Sequence, residues 1–407
     1  MVDVSEAQKI VLDLVRSIVE TEVVDITEAV GRILAEPIES QLDFPHWDNS
    51  AMDGYAVRFA DVRSSTPKHP ITLEVIEEIP AGYQPKREIC SGEAARIFTG
   101  AIVPQGADTI VMQEHTQRVQ KHFVKIQITP TAKAFIRYRG EYAKVGDTLL
   151  APGTVLNPPE IAILAATGSS QVAVYRRPKI AILSTGDELV TPHQPLQIGQ
   201  IVDSNQYALA AFVRQAGAIP ICMGIIPDDR PKLTAAMAEA IASADFVLST
   251  GGVSVGDYDY VEAILAELGG EIHIRSVAVK PGKPLTVAKF SNCVYFGLPG
   301  NPVSALVSCW RFVAPAINKL AGLPISTWEP KWLTATATQD LTADGMRETY
   351  LWGRLELVKG EYQFTLSGGS HSSGNLINLA GTNALGVIPV GTNIINAGGK
   401  VRVLSIG

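Results

Sequence analysis

Asp245-Phe246-Val247-Leu248-Ser249-Thr250-Gly251-Gly252-Val253-Ser254-Val255-Gly256-Asp257-Tyr258-Asp259 is the stretch on which the fold turns. A short apolar run with strand character empties into glycines, a hydroxyl and carboxylates. The chain repeats the move twice more, at Lys280-Pro281-Gly282-Lys283-Pro284 and where Val294-Tyr295-Phe296 runs into Leu298-Pro299-Gly300-Asn301-Pro302-Val303-Ser304. Open α/β sheets build ligand crevices at strand ends of this kind. The expectation is an active site for a phosphate-bearing, anionic ligand.

Working outward, residues 179–322 alternate between strand-like and helix-like periods. Strands are predicted at 180–184, 219–225, 246–250, 274–279, 285–288 and 294–296, and helices at 205–216, 230–243, 258–268 and 302–320. Asn301 reads as an N-cap and Pro315 as a kink. The pattern predicts a three-layer α/β domain with a largely parallel sheet. Before it, residues 5–19 read as a helix with a Ser5/Gln8 capping box and an apolar stripe of Ile10, Val11, Leu14, Val15, Ile18 and Val19; 27–34 read as a second short helix. Residues 44–56 show no period and read as a polar loop suited to a site. Runs at 71–76, 92–98, 107–113 and 123–128 predict a mostly-β insertion domain, and Asn157-Pro158-Pro159 opens another helix. A hairpin turning at Lys359-Gly360, with strands at 387–390 and 400–404, predicts a C-terminal β-barrel-like domain. The resulting division is 1–25 with 176–324 (α/β), 26–55 with 143–175 (connecting), 56–142 (mostly β) and 325–407 (barrel).

Composition narrows the function classes. With 407 residues, 46% hydrophobic content, 18% charged residues and a net charge of -7, the chain is globular and multidomain, and no broad basic face for nucleic acid or a membrane surface is expected. Cys90, Cys222, Cys293 and Cys309 are scattered without metal-ligand or disulfide spacing, and the N-terminus is acidic where a signal peptide is basic. A cytoplasmic protein is expected.

The strand ends carry the chemistry. Besides the opening stretch they are Ser184-Thr185-Gly186-Asp187-Glu188-Leu189, Asp203-Ser204-Asn205-Gln206 and Pro227-Asp228-Asp229. Backbone N–H groups around Gly251, Gly252 and Ser254 can approach an oxyanion, and Lys280 and Lys283 flank one Pro-Gly turn, which suits a small tetrahedral anion. The carboxylates Asp187, Glu188, Asp228, Asp257 and Asp259 would repel a phosphate, so a divalent cation, Mg2+, is expected between them; Asp229 and Asp257 read equally well as helix caps. His371 reads as a surface turn residue.

Five motifs together resemble the MoeA family of molybdopterin molybdotransferases, relatives of the C-terminal domain of gephyrin. They are Asp48-Asn49-Ser50-Ala51-Met52-Asp53-Gly54-Tyr55-Ala56, Ser184-Thr185-Gly186-Asp187-Glu188-Leu189, the glycine stretch from Ser249 to Asp259, Lys280-Pro281-Gly282-Lys283-Pro284, and Leu298-Pro299-Gly300-Asn301-Pro302-Val303-Ser304. The resemblance implies insertion of molybdenum from molybdate into adenylylated molybdopterin with release of AMP, the final step of molybdenum cofactor biosynthesis. It implies a homodimer, a molybdopterin adenylyltransferase upstream, and apo-molybdoenzymes or their chaperones downstream. Carried over by motif, Asp53, Thr99, Glu188, Asp228, Asp259, Lys280 and Lys283 would be catalytic, with Glu188, Asp228 and Asp259 holding Mg2+. Gly251, Gly252, Ser254, Pro284, Pro302, Ser304, Arg347 and Ser373 would bind the pterin nucleotide and molybdate, with Ser372 beside them. Tyr142 stands where the family usually places aspartate.

Two other readings fit parts of the sequence. A molybdopterin adenylyltransferase shares the α/β domain, and the flanking domains argue against it. A non-catalytic molybdopterin-binding scaffold is the other. Tungstate has the charge and shape of molybdate.

Overall fold

The computed structural model describes residues 1–251 and 258–406. It divides into two compact units: Met1–Glu36, Pro152–Ile161 and Gln171–Gly407 form the first, and Pro37–Ala151 with Ala162–Ser170 the second.

The first unit holds a six-stranded sheet in the order Ile219–Ile226, Lys179–Thr185, Phe246–Thr250, Val294–Leu298, Pro284–Lys289, Glu271–Ser276. The first four strands run parallel, Pro284–Lys289 runs against them, and the edge strand Glu271–Ser276, antiparallel to Pro284–Lys289, runs with the first four. Every residue of Phe246–Thr250 and Val294–Leu298 is buried, as expected of strands covered on both faces. Successive side chains alternate between two cores. Phe246, Leu248 and Phe296 pack with Val11, Leu209, Val213 and Val303 on one face. Val247 and Tyr295 pack with Leu233, Met237, Ile264 and Leu265 on the other. This is the expected three-layer arrangement.

Several elements differ from expectation for identifiable reasons. The first helix spans Val4–Leu14, capped not by Ser5 but by Asp3, whose carboxylate accepts the Glu6 N–H and the Ser5 hydroxyl, each at 2.8 Å. It stops short of residue 19 because the Ile18 N–H is drawn to the Leu320 carbonyl (2.8 Å), so Val15 and Ile18 are buried from an extended segment. Residues 27–34 are not a helix. A short 3-10 turn, Ile26–Glu28, runs into Gly31 at φ +74°, after which Ile33 and Leu34 bridge strand-like to Val155 and Val174. The long helix at 302–320 is interrupted: Pro302–Ser308, a π turn at Cys309–Val313, then Ala314–Leu320. Pro315 has no N–H for the carbonyl one turn back, and the wide turn absorbs the fault before the proline rather than at it. The strand expected at 274–279 splits. Glu271–Ser276 stays in the sheet, while Val279–Lys280 leaves it to pair parallel with Glu348–Val358.

Glu348–Val358 belongs to a closed five-stranded barrel with Glu361–Leu366, Trp332–Ala337, Lys400–Ser405 and Ala384–Ile388, the last pairing back to the first. Lys359 (φ +51°) and Gly360 (φ +86°) make the two-residue turn that matches strand twist. One face of the barrel encloses Ala335, Phe364 and Val403. The other contributes Tyr350, Trp352, Leu385, Val387 and Leu404 to the same core as the parallel sheet.

The second unit is built on a six-stranded sheet in the order Thr109–Met112, Gly54–Val57, Glu93–Ile97, Ile71–Ile79, Phe123–Ile126, Thr116–Gln120, with an apolar cluster on each face. The stretch expected to be a loop carries two strands, Asn49–Ser50 and Gly54–Val57. Its lack of alternation has a cause in packing: a Cβ on Gly54 would lie 1.9 Å from the Val111 carbonyl oxygen, so glycine is required inside this strand. Among the described residues no helix is long and apolar enough to cross a membrane.

Candidate active site

A cleft of about 1050 Å³ opens at the carboxyl ends of Lys179–Thr185, Phe246–Thr250 and Val294–Leu298, the rim where α/β sheets bind ligands. Thr185 and Glu188 line it beside Thr250 and Gly251. The turn at residues 280–284 and the segment 299–302 with Ser304 form a second wall, and Arg347, Trp352 and residues 371–374 of the barrel domain a third.

Backbone conformation shapes the floor. Gly251 is at φ +89°, and a Cβ there would lie 2.0 Å from the Thr185 carbonyl oxygen. Gly282, at φ +108°, packs against the helix behind it, where an added Cβ would stand 3.0 Å from the Ser308 hydroxyl. Only glycine lets these backbones close on each other and still turn. Asn205 donates to the Gly300 carbonyl at 2.8 Å, tying the first helix after the sheet's leading strand to the Leu298-to-Ser304 turn. Asn301 occupies the N-cap position but makes no side-chain capping bond; its amide donates to the Ser373 hydroxyl at 3.0 Å, and the Ser373 carbonyl accepts the Val303 N–H at 3.2 Å. The barrel loop is thereby fastened to the start of the helix Pro302–Ser308.

The cationic side is equally specific. Lys280 reaches the cleft because its strand has left the sheet for the barrel edge. Its ammonium lies 3.0 Å from the Asp344 carboxylate, and the Arg347 guanidinium is 3.9 Å from the same oxygen. The Lys280 contact, followed by the Met346 N–H, holds the Asp344 carboxyl below its ordinary range. Lys283 is exposed on the same turn. Behind the wall, buried Arg311 donates to the Tyr350 hydroxyl at 2.8 Å and to Gln8, and Tyr350 donates to Glu348 at 2.5 Å. Burial raises the Tyr350 phenol far above its usual range, so it remains a neutral donor fixing that strand.

The structure therefore brings together Glu188, Gly251, Lys280, Lys283, Pro284, Pro302, Ser304, Arg347, Ser372 and Ser373 in one cleft. Asp53 and Thr99 meet each other in the second unit, where the Thr99 N–H and hydroxyl both donate to Asp53 at 2.8 Å and lower its carboxyl, the N–H contributing most. The Asp228 N–H donates to the Asp187 carboxylate at 3.1 Å, linking the turns that follow two neighbouring strands. Gly252, Ser254 and Asp257 lie outside the described residues, and so does the side chain of Asp259, whose backbone belongs to the helix Tyr258–Glu267. Asp229 caps its helix, accepting the Lys232 N–H at 3.0 Å. Tyr142 is 66% exposed.

Two residues of this region were not legible in the sequence. His371 is not a surface turn residue: it lines the cleft, its ring lies 4.5 Å from that of Trp352, and Nε2 donates to the Ser367 carbonyl at 2.7 Å. A carbonyl only accepts, so Nε2 carries a proton, and Nδ1 is buried without a partner among the described residues. Asp344, which no motif singles out, stands 3.0 Å from the Lys280 ammonium.

Among the described residues no group of three or more His, Cys, Asp or Glu side chains could hold a metal ion. Glu188 nevertheless lines the cleft, its carboxylate folded back over Gly186, where a Cβ would stand 2.5 Å from its oxygen.

Comparison with known proteins follows the chain from end to end. Residues 2–168 match the model of the MoeA N-terminal region (domain I and II), 181–319 that of a probable molybdopterin binding domain, and 334–406 that of the MoeA C-terminal region (domain IV). A molybdopterin molybdenumtransferase of Nostoc sp. is 58% identical over 390 residues, covering 95% of this chain and 89% of that protein. One from Haemophilus influenzae is 37% identical over 369 residues, covering 90% and 88%. The crystal structure of the molybdopterin biosynthesis MoeA protein from Pyrococcus horikoshii OT3 superposes with a TM-score of 0.86 at 30% identity, covering 100% of both chains.

Proposed function

The chain belongs to the MoeA family, and from that premise we infer that its cleft carries the family's molybdenumtransferase reaction in molybdenum cofactor biosynthesis. The observation that carries the reading is the convergence of Lys280 and Arg347 with Ser304 and Ser373 on one cleft large enough for a nucleotide-sized ligand. A tetrahedral dianion such as molybdate needs cations and hydroxyl donors on several sides, and a pterin phosphate needs backbone turned toward it, as at Gly251 and Gly282.

On this reading molybdate enters beside Lys280 and Lys283, and adenylylated molybdopterin lies along the glycine turns. The dithiolene sulfurs replace oxygen ligands of molybdenum, and water cleaves the phosphoanhydride to release AMP. No protein nucleophile is needed, in keeping with the buried Cys309, and with Cys293, whose thiol burial pushes up to about 12. The basic side chains stabilise charge on the departing phosphate.

We propose that Glu188, at the cleft, would hold Mg2+, with Asp228 and Asp259 as the further carboxylates that the family motifs imply, since a hard cation commonly takes one or two carboxylates and completes its shell with phosphate and water. When bound it would neutralise phosphate charge. We further propose that the protein works in the cytoplasm as a homodimer whose second copy completes each site. It would receive its substrate from a molybdopterin adenylyltransferase and pass product to apo-molybdoenzymes or their chaperones.

The test is an insertion assay with adenylylated molybdopterin, following AMP and metal-loaded pterin with molybdate and with tungstate, with and without Mg2+. Lys280→Ala is expected to lower turnover about 10²-fold, the effect of losing one charge-stabilising donor. AMP release independent of added oxyanion, or unchanged in that variant, would overturn the reading; adenylylated pterin made from ATP would assign the adenylyltransferase instead.

A further inference from the structure

A second cleft, of about 500 Å³, lies at the opposite end of the same parallel strands. Lys179, Phe246 and Val294, which begin three of them, line it together with Lys289, which ends the neighbouring antiparallel strand. Four basic side chains, Arg16, Arg176, Lys179 and Lys289, stand in its walls against two acidic ones, Glu20 and Asp245, on a chain whose net charge is -7.

The acids do not balance the bases. Asp245 is already occupied: Arg176 grips it with two hydrogen bonds of 2.8 Å, and the Lys179 N–H adds a third at 2.8 Å. Glu20 is mostly exposed and lies 3.7 Å from the same guanidinium. Lys289 forms no ion pair among the described residues. Burial holds its ammonium below the ordinary lysine range; Cys293 acts against that shift, and the Arg16 charge adds to it. Lys289 is half-buried and Arg16 exposed on the walls of one cleft, so two like charges face the same space, which is unfavourable unless something negative joins them. The rest of the wall suits that role: Ser291 and Asn292, exposed in the hairpin turn between Pro284–Lys289 and Val294–Leu298, offer neutral donors.

We propose that this second cleft is a binding site for a doubly charged phosphoryl group, free or carried on a small ester, held by Lys289 and Arg16 and distinct from the cleft at the other end of the sheet. It lies at the far end of the strands from the reacting groups, so its occupant is a regulatory or stabilising ligand and not a substrate.

Calorimetric titration of the full-length protein with inorganic phosphate and with AMP tests this. The Lys280→Ala/Lys283→Ala variant is used so that the first cleft does not contribute. Phosphate should still bind, and adding Lys289→Met should weaken it by about tenfold or more while Lys289→Arg preserves it. AMP binding tighter than phosphate would identify an ester as the ligand; equal affinity would identify the bare phosphoryl group. In phosphate-free buffer Lys289→Met should melt no lower than the parent, because an unpartnered charge has been removed from a dehydrated site. Phosphate failing to bind the double variant, or binding equally well after Lys289→Met, would overturn the proposal.

Discussion

At the scale of single residues, the cleft's chief cation is already engaged. The Lys280 ammonium sits 3.0 Å from Asp344, and Arg347 leans toward the same carboxylate. An incoming oxyanion must compete with Asp344 for both, so Asp344→Asn should tighten molybdate binding roughly two- to five-fold, the range expected from freeing an exposed pair. The pH dependence has a definite sign. A carboxyl held below its ordinary range keeps its partner above that range and releases it only as pH falls through the lowered value. The ratio of wild-type to variant affinity should therefore be flat through the neutral range and converge on one only in acid. Titration with molybdate at several pH values checks both; weaker binding by Asp344→Asn would show that the carboxylate aligns Lys280 instead of competing for it. Lys280, Ser304, Arg347 and Ser373 were legible because each sits in, or was carried over with, a motif whose residue types match an anion. Asp344 and His371 were not, because their roles depend on a strand leaving the sheet and on a ring stacking behind a barrel wall.

Among the elements, strands were read more accurately than helices. Phe246–Thr250 and Arg230–Ser243 match expectation at both ends, since each is bounded by an acid and a glycine or by a cap and an apolar stretch. Of the departures, those at residues 274–279 and 302–320 arise where tertiary pairing or a missing N–H overrides local period, and that at residues 5–19 where the Ile18 N–H is drawn to the Leu320 carbonyl. The turns around the cleft rest on glycine geometry that can be measured. Gly251→Ala meets both a left-handed backbone and a carbonyl oxygen at 2.0 Å. It should destabilise the protein by about 2–4 kcal/mol, from backbone strain plus the displacement of a packed turn. Gly31→Ala is the control: φ is +74°, nothing lies within 4 Å of the new Cβ, and only about 1 kcal/mol of left-handed strain is expected. Urea unfolding of both variants decides; equal losses would mean that the close approach at Thr185 relaxes freely.

For the first unit as a whole, the parallel sheet and the barrel should unfold together. Val401 and Val403 of Lys400–Ser405 face the barrel's own interior, whereas Leu404 joins Tyr350, Trp352, Leu385 and Val387 in the core that also holds Phe246, Leu248 and Phe296. Removing the barrel would expose these apolar neighbours at about 25 cal/mol for each Å² uncovered, which a marginally stable fold does not withstand. The cleft requires this union, because Lys280 stands on the segment that pairs Val279–Lys280 with Glu348–Val358, and Ser373 is fastened to the helix Pro302–Ser308. Hydrogen exchange along a urea series should show the amides of Phe246–Thr250 and Lys400–Ser405 losing protection at the same denaturant concentration. Earlier exchange in the barrel strand would mean that the shared core does not couple them, and Lys280 would then be held by its own turn, with its strand pairing incidental to the site.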